Sequence, residues 1–193
     1  GQEICRNLTL SGHKPVCFAR KDRGVYPVNI GDVNSKTDIQ NAISAGFDYI
    51  IHAAAAKRNK CKREIISTNI NGTINIIDSC NNLPIKIISS VEAFNANIEC
   101  YGASKFIIEE LSKDYPNISF IRLPTVWGSD DTLVTHWLQS AKDTGKISLF
   151  KFNQITKKKF FVTLKDAGKL CCEFENQEII KKKIRVIDCN VLA

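Results

Sequence analysis

The chain has no methionine and only 2 tryptophans and 5 prolines among 193 residues. No apolar run approaches the ~18 residues that a membrane-spanning helix requires, so no membrane partner is expected. No secretory signal pattern is visible, although a missing start would conceal one, and the absent methionine and opening Gly1 point to such a truncation. The eight cysteines, at 5, 17, 61, 80, 100, 171, 172 and 189, form neither a CxxC pair nor a zinc spacing with the scattered His13, His52 and His136. No metal is therefore expected. Most of these thiols lie inside apolar segments, where they act as small hydrophobes, and free thiols fit a reducing, cytoplasmic setting. No repeat, low-complexity tract or linker divides the chain.

What is present suits a single folded unit. With 44% hydrophobic and 24% charged residues, the chain can bury a sizeable core. The net charge of +7 would attract anionic ligands such as nucleotides. Its lysine runs, Lys57 to Lys62, Lys157-Lys158-Lys159 and Lys181-Lys182-Lys183, lack the interleaved aromatics of a nucleic-acid surface. A solvated face explains them, and no nucleic-acid partner is expected.

Apolar periodicity alternates between strand and helix along the whole chain. Ile4, Cys5 and Leu8 make a helical face that ends at Gly12, and Val16 to Ala19 reads as a buried strand. Further strands are expected at Tyr26–Ile30, Tyr49–Ile51, Ile85–Ser89, Ile118–Leu123, Ile147–Phe150 and Ile184–Ile187. Helices are expected at Thr37–Ala45, Arg63–Cys80, Tyr101–Lys113, Leu133–Asp143 and Lys165–Phe174. This predicts an α/β fold, a doubly wound parallel sheet of Rossmann type that lacks its first strand. The incomplete core spans residues 1–128. Residues 129–193 supply the remaining core elements and a small, partial substrate-binding portion.

Tyr101-Gly102-Ala103-Ser104-Lys105 carries the chemistry. A Tyr and a Lys four apart share one helix face. A phenol titrates near 10, too high for acid–base work at neutral pH, and a neighbouring ammonium is expected to lower it. A hydroxyl from the end of the preceding strand, Ser90 or, with the register slipped by one, Ser89, could hold a substrate oxygen beside the phenol. Such a set moves a proton on and off a carbinol while a hydride leaves or arrives.

The order of motifs resembles an extended short-chain dehydrogenase/reductase, in the group of NAD-dependent sugar-nucleotide epimerases and dehydratases. The residues are Gly1 to His13, Ile51-His52-Ala53-Ala54-Ala55, Thr68-Asn69-Ile70-Asn71-Gly72-Thr73, Ser89-Ser90, Tyr101-xxx-Lys105 and Arg122 to Gly128. Lys159-Phe160-Phe161-Val162-Thr163-Leu164, and the short spacing from Ser90 to Tyr101, resemble the polysaccharide-biosynthesis branch.

The resemblance implies a role for each residue. Ser90, Tyr101 and Lys105 become the catalytic set, with Lys105 also on the nicotinamide ribose. Gly1 stands as the last glycine of the phosphate loop, Asp32 beside adenine, and Ala53, Ala54, Ala55, Asn69 and Pro124 beside the cofactor. A structural role for Asn69 and a turn role for Asp32 stay open. Ala19 stands where an acidic residue would select NAD, and Arg20 follows it, which favours NADP over NAD. The substrate would contact Ser90, Glu92, Tyr101 and Lys159; Lys159 replaces the family's usual arginine on the diphosphate and cannot make its bidentate fork. Val91 stands where dehydratases of this group carry Asp, so reduction or epimerisation of a nucleotide sugar is expected ahead of dehydration. A non-catalytic NADP or metabolite sensor is the alternative. A homodimer follows by analogy alone.

Overall fold

The computed structural model describes residues 1–80, 82–95, 99–128, 133–146, 161–173 and 184–187. It opens with α1 (Gln2–Leu10), whose Ile4, Cys5 and Leu8 are buried. The helix stops where Gly12 takes φ +82°, a conformation that glycine adopts without the Cβ penalty. The strand β1 (Val16–Ala19) follows, then β2 (Val28–Ile30) and α2 (Lys36–Ile43). Ser35 begins α2 by accepting the Asp38 amide on its hydroxyl at 3.2 Å.

β3 (Tyr49–His52) is buried at every position and lies at the centre of the molecule. One continuous helix comes next in three parts. These are α3 (Lys62–Ile65), a π-helical turn (Ile66–Asn71) and α4 (Gly72–Cys80). Hydrophobic period alone anticipates the helix but not its π turn, a distortion that tends to mark functional positions. β4 (Ile85–Ser90) runs into a 3-10 turn (Val91–Asn95), followed by α5 (Cys100–Leu111) and β5 (Ile118–Leu123). The chain continues through β6 (Thr125–Trp127), α6 (Leu133–Thr144), β7 (Phe161–Thr163), α7 (Leu164–Cys171) and β8 (Ile184–Ile187).

The main sheet has six strands in the order β2-β1-β8-β3-β4-β5, and every pairing is parallel. It is the Rossmann-like α/β architecture that the alternation implies. β8 occupies the slot between β1 and β3, with Cys17 and Ile51 both in register with Val186. That slot is where a doubly wound sheet carries its first strand. Filling it satisfies the facing ladder groups of β1 and β3, which would otherwise be buried without partners.

The two faces of the sheet bury separate clusters. Phe18, Ile39, Ile50, Ile76, Ile85, Ile87 and Ile108 pack under α2, α4 and α5. Ile4, Cys5, Leu8, Tyr49, Ile51 and Cys171 pack under α1 and α7. Each fully buried isoleucine is worth about 1.5–3 kcal/mol of apolar burial, which makes this double-sided filling the main source of cohesion.

Two features differ from expectation. β6 and β7 pair in a separate parallel two-stranded sheet, with Val126 opposite Val162. Three-residue strands are too short to show alternation in a sequence. The strand expected at 147–150 lies outside the described residues.

Candidate active site

In a parallel sheet, ligands bind beyond the carboxyl ends of the strands. The residues singled out from sequence gather along that edge. Arg20 follows β1, Asp32 lies just past β2, Ala53 to Ala55 follow β3, Ser90 ends β4 and Pro124 follows β5. α1 starts directly after Gly1, and the Gly1 carbonyl accepts the Cys5 amide at 2.9 Å. Lys159 lies outside the described residues.

Tyr101 and Lys105 lie one turn apart on α5, with the Lys105 ammonium 5.9 Å from the centre of the Tyr101 ring. Lys105 is buried and donates to the Ile88 carbonyl at 2.9 Å, which ties α5 to β4. Burial pulls Lys105 down to about 8, and the Glu109 carboxylate opposes that fall. At neutral pH the ammonium form still predominates.

The phenol behaves differently from the sequence expectation. Burial, followed by the charge of Glu92, pushes Tyr101 up to about 12, while Arg58 pulls the other way. Desolvation disfavours the phenolate more than the nearby cations favour it. The group is therefore held protonated, in the form that donates.

Around Ser90 the backbone folds tightly. The Glu92 amide donates to the Ser90 hydroxyl at 3.2 Å. The segment carrying both comes so close to α5 that a Cβ on Gly102 would lie 2.6 Å from the Glu92 carbonyl oxygen. Arg58, in the loop after β3, joins the Glu92 carboxylate and also meets Glu99 at 2.8 Å, just ahead of the Tyr101 helix. Sequence reading gave Arg58 no role. Its partners stand more than thirty positions away, so no local pattern announces them.

The hydroxyl of Ser89, the neighbour of Ser90, points inward and donates to Glu109. The sheet register thus leaves Ser90 at the edge and Ser89 in the interior. Glu109 also accepts two bonds from Arg122 Nε, each at 3.0 Å, and a further one from its terminal nitrogen. Burial works against this charge, yet the bonds from Arg122 and Ser89 hold Glu109 below the usual carboxylate range. Glu109 was missed in the sequence, although its place four residues after Lys105 puts it on the same helix face.

Asn69 lies in the π turn, and its side chain is fully engaged. Its Oδ1 accepts the Ala56 amide at 2.6 Å, while its Nδ2 donates to the Ala56 carbonyl at 3.3 Å and the Ser104 hydroxyl at 3.0 Å. It therefore pins the alanine loop after β3 to α5. Asp32 closes the turn into α2 by accepting from the amide and side chain of Asn34, both at 2.9 Å.

His52 is equally internal. Thr73 donates its hydroxyl to the Asn69 carbonyl at 2.7 Å, so it can only accept from His52 Nε2–H at 2.8 Å. This assigns the tautomer and leaves Nδ1 as a buried acceptor without a hydrogen bond. Burial, and then the charge of Lys105, pulls His52 down to about 3, so the ring stays neutral.

This edge is compatible with a dinucleotide. The small alanines after β3 and the buried Lys105 at the carboxyl edge leave space and a cation that such a group could use. Known proteins resemble this chain. A family described as "Polysaccharide biosynthesis protein" matches residues 14–190. The chain belongs to that family. A curated relative, the UDP-N-acetylglucosamine 4,6-dehydratase (inverting) of Campylobacter jejuni subsp. jejuni serotype O:23/36 (strain 81-176), is 30% identical over 155 residues. That match takes in 72% of this chain and 45% of the relative, so the chain spans about half the length of the curated protein. Among solved structures, Pen from Bacillus thuringiensis is 25% identical with a TM-score of 0.72, over 89% of this chain and 62% of that one. The Bordetella bronchiseptica enzyme WbmG in complex with NAD and UDP is 17% identical with a TM-score of 0.70, over 88% and 63%. The latter supports the fold of this polysaccharide biosynthesis family member. Among the described residues, no helix is long and apolar enough to cross a membrane, and no group of three metal-ligating side chains comes together.

Proposed function

We propose that this protein contributes to an NAD(P)-dependent oxidoreductase or epimerase acting on a nucleotide-activated sugar. The observation that supports the reading is the Tyr101–Lys105 pair, one turn apart on α5, with Ser90 ending β4 at the carboxyl edge of the parallel sheet. When bound, a nicotinamide dinucleotide would supply or accept the hydride.

In the reductive direction Tyr101, which rests protonated, donates its proton to the oxygen of a keto sugar. Ser90 donates a hydrogen bond to the same oxygen and holds it beside the phenol. Lys105 neutralises the charge that remains on the tyrosine and takes a hydroxyl of the cofactor ribose. In the oxidative direction the same groups act in reverse, and Tyr101 takes the proton from the sugar hydroxyl. An epimerase returns the hydride to the opposite face of the sugar; a reductase runs the reductive half alone. Gly1, Asp32, Ala53 to Ala55, Asn69 and Pro124 would surround the dinucleotide, with Asn69 acting through the loop it pins. Arg20 supports NADP over NAD, because a guanidinium accommodates a ribose 2′-phosphate.

Dehydration is the second reading, favoured by the activity in the curated relative's name. Against it, Val91 has no proton to give a leaving hydroxyl, and Glu92 is committed to Arg58. Incubating the whole gene product with NAD(H) or NADP(H) and UDP-, GDP- and dTDP-sugars tests the proposal. Unchanged product mass indicates epimerisation, a gain of two hydrogens reduction, and a loss of water dehydration. Hydride transfer that survives Tyr101→Phe would refute the assigned acid–base group, and a protein that binds the cofactor but turns over no sugar would be a sensor.

A further inference from the structure

We infer that Glu109 is a positioning residue of the proposed site, which keeps the buried Lys105 protonated and locks the interior hydroxyl of β4 in place. The inference rests on the reading of Lys105 given above. Three elements converge on this carboxylate. Ser89 comes from the end of β4, Arg122 from β5, and Glu109 itself from α5, one turn beyond Lys105. Lys105 and Glu109 line the same small internal pocket, with Asn69, Thr73 and Ser89.

The charges around it are unevenly shared. Lys105 is only 8% exposed, and its ammonium donates to a neutral carbonyl, that of Ile88. The titratable groups that face it are Tyr101 on its own helix, His52 on β3 and Glu109. Tyr101 and His52 are neutral, so Glu109 is the anion that compensates the ammonium. Glu109 faces Arg122 and Ser89, and Arg122 in turn faces Glu110 and lies 4.2 Å over the Phe94 ring. The Arg122 side chain is 40% exposed, so its pairing with Glu109 adds little by itself. Lys105, in contrast, is buried and would be left desolvated without a counter-charge if Glu109 were neutral.

Glu109→Gln keeps the shape and the bond from Ser89 while removing the charge. The titration of Lys105 is followed by NMR of protein labelled at lysine Cε, with Lys105→Arg used to assign the signal. The expected result is a midpoint displaced toward acid by about one pH unit or more. Glu109→Asp, which keeps the charge, should restore most of the wild-type midpoint. An unchanged midpoint in Glu109→Gln overturns the inference. Should that variant not fold, Glu109→Asp and Arg122→Lys are titrated instead, and unaltered midpoints in both count equally against it. The pH profile of turnover separates the two proposals. A moved Lys105 midpoint without any change in the profile leaves the positioning intact and removes Lys105 from the catalytic reading.

Discussion

Gly102 makes the sharpest link between backbone packing and chemistry. It is buried within α5, between Tyr101 and the rest of its helix, and it faces the Ser90–Glu92 segment. A methyl at this position would meet the Glu92 carbonyl oxygen at 2.6 Å and its carbon at 3.3 Å. Both are backbone atoms, so no side chain can swing aside to make room. Reaching an ordinary contact of about 3.4 Å requires the segment to retreat by roughly 0.8 Å.

Gly102→Ala therefore sets two effects on stability against each other. Overpacking costs about 1–3 kcal/mol, and the better helix former returns about 0.5–1 kcal/mol. The net loss is about 0–2.5 kcal/mol, a fall in Tm of at most several degrees for a domain of this size. Turnover should suffer far more, because a displacement approaching 1 Å between Ser90 and Tyr101 costs on the order of 100-fold. Ala103→Gly in the same helix is the matched control, since it loses a similar ~0.5–1 kcal/mol with no steric shift. Thermal unfolding and kcat measured on both variants decide the point. Equal kcat in Gly102→Ala and the wild type would show that the close approach has no bearing on the hydroxyl–phenol geometry.

Asn69→Ala strands the buried Ala56 amide and carbonyl, and should cost about 2–4 kcal/mol by urea denaturation while weakening dinucleotide binding by calorimetry; a loss near zero would mean the alanine loop is held by something else. Glu92→Gln should lower, and Arg58→Gln raise, the pH at which the Tyr101 phenolate absorbance appears, because the two charges act oppositely on Tyr101. Displacements in the same direction would contradict that. His52 is neutral in the fold and ordinarily titrates at 6.5, so its proton is taken up on unfolding as pH falls from 6.5 toward about 3. It should remove stability at up to about 1.4 kcal/mol per pH unit over that window. Urea midpoints between pH 7 and 5 should be visibly flatter in His52→Asn, and an identical slope would show that the ring already shares a proton in the native state.

The alternation of apolar runs was enough to place nearly every element of the main sheet, because strands buried on both faces cannot hide their isoleucines. Tyr49–His52 and Ile85–Ser90 are such strands. Where the reading fell short, long-range placement decided the outcome. Ile184–Ile187 is legible as a strand, yet nothing local says that it enters the middle of the sheet rather than its edge. Gly12 at the end of α1 and the Tyr101–Lys105 spacing are local signals and came through. Arg58, Glu92 and Glu99 form one charge cluster only after the chain has folded back on itself.

The phenol illustrates the same division in energetic terms. Spacing alone identifies the helix face that Tyr101 shares with Lys105, and from it a lowered proton affinity follows. The fold adds two terms that spacing does not contain, desolvation and the Glu92 carboxylate, and together they reverse the sign. A phenol raised to about 12 rests protonated at neutral pH but is a weaker acid than an exposed tyrosine. If the site is catalytic, the direction that requires least change in Tyr101 is reduction of a keto sugar. Oxidation of a sugar hydroxyl demands that the phenol first be made more acidic, and Arg58 is the charge that pulls it that way.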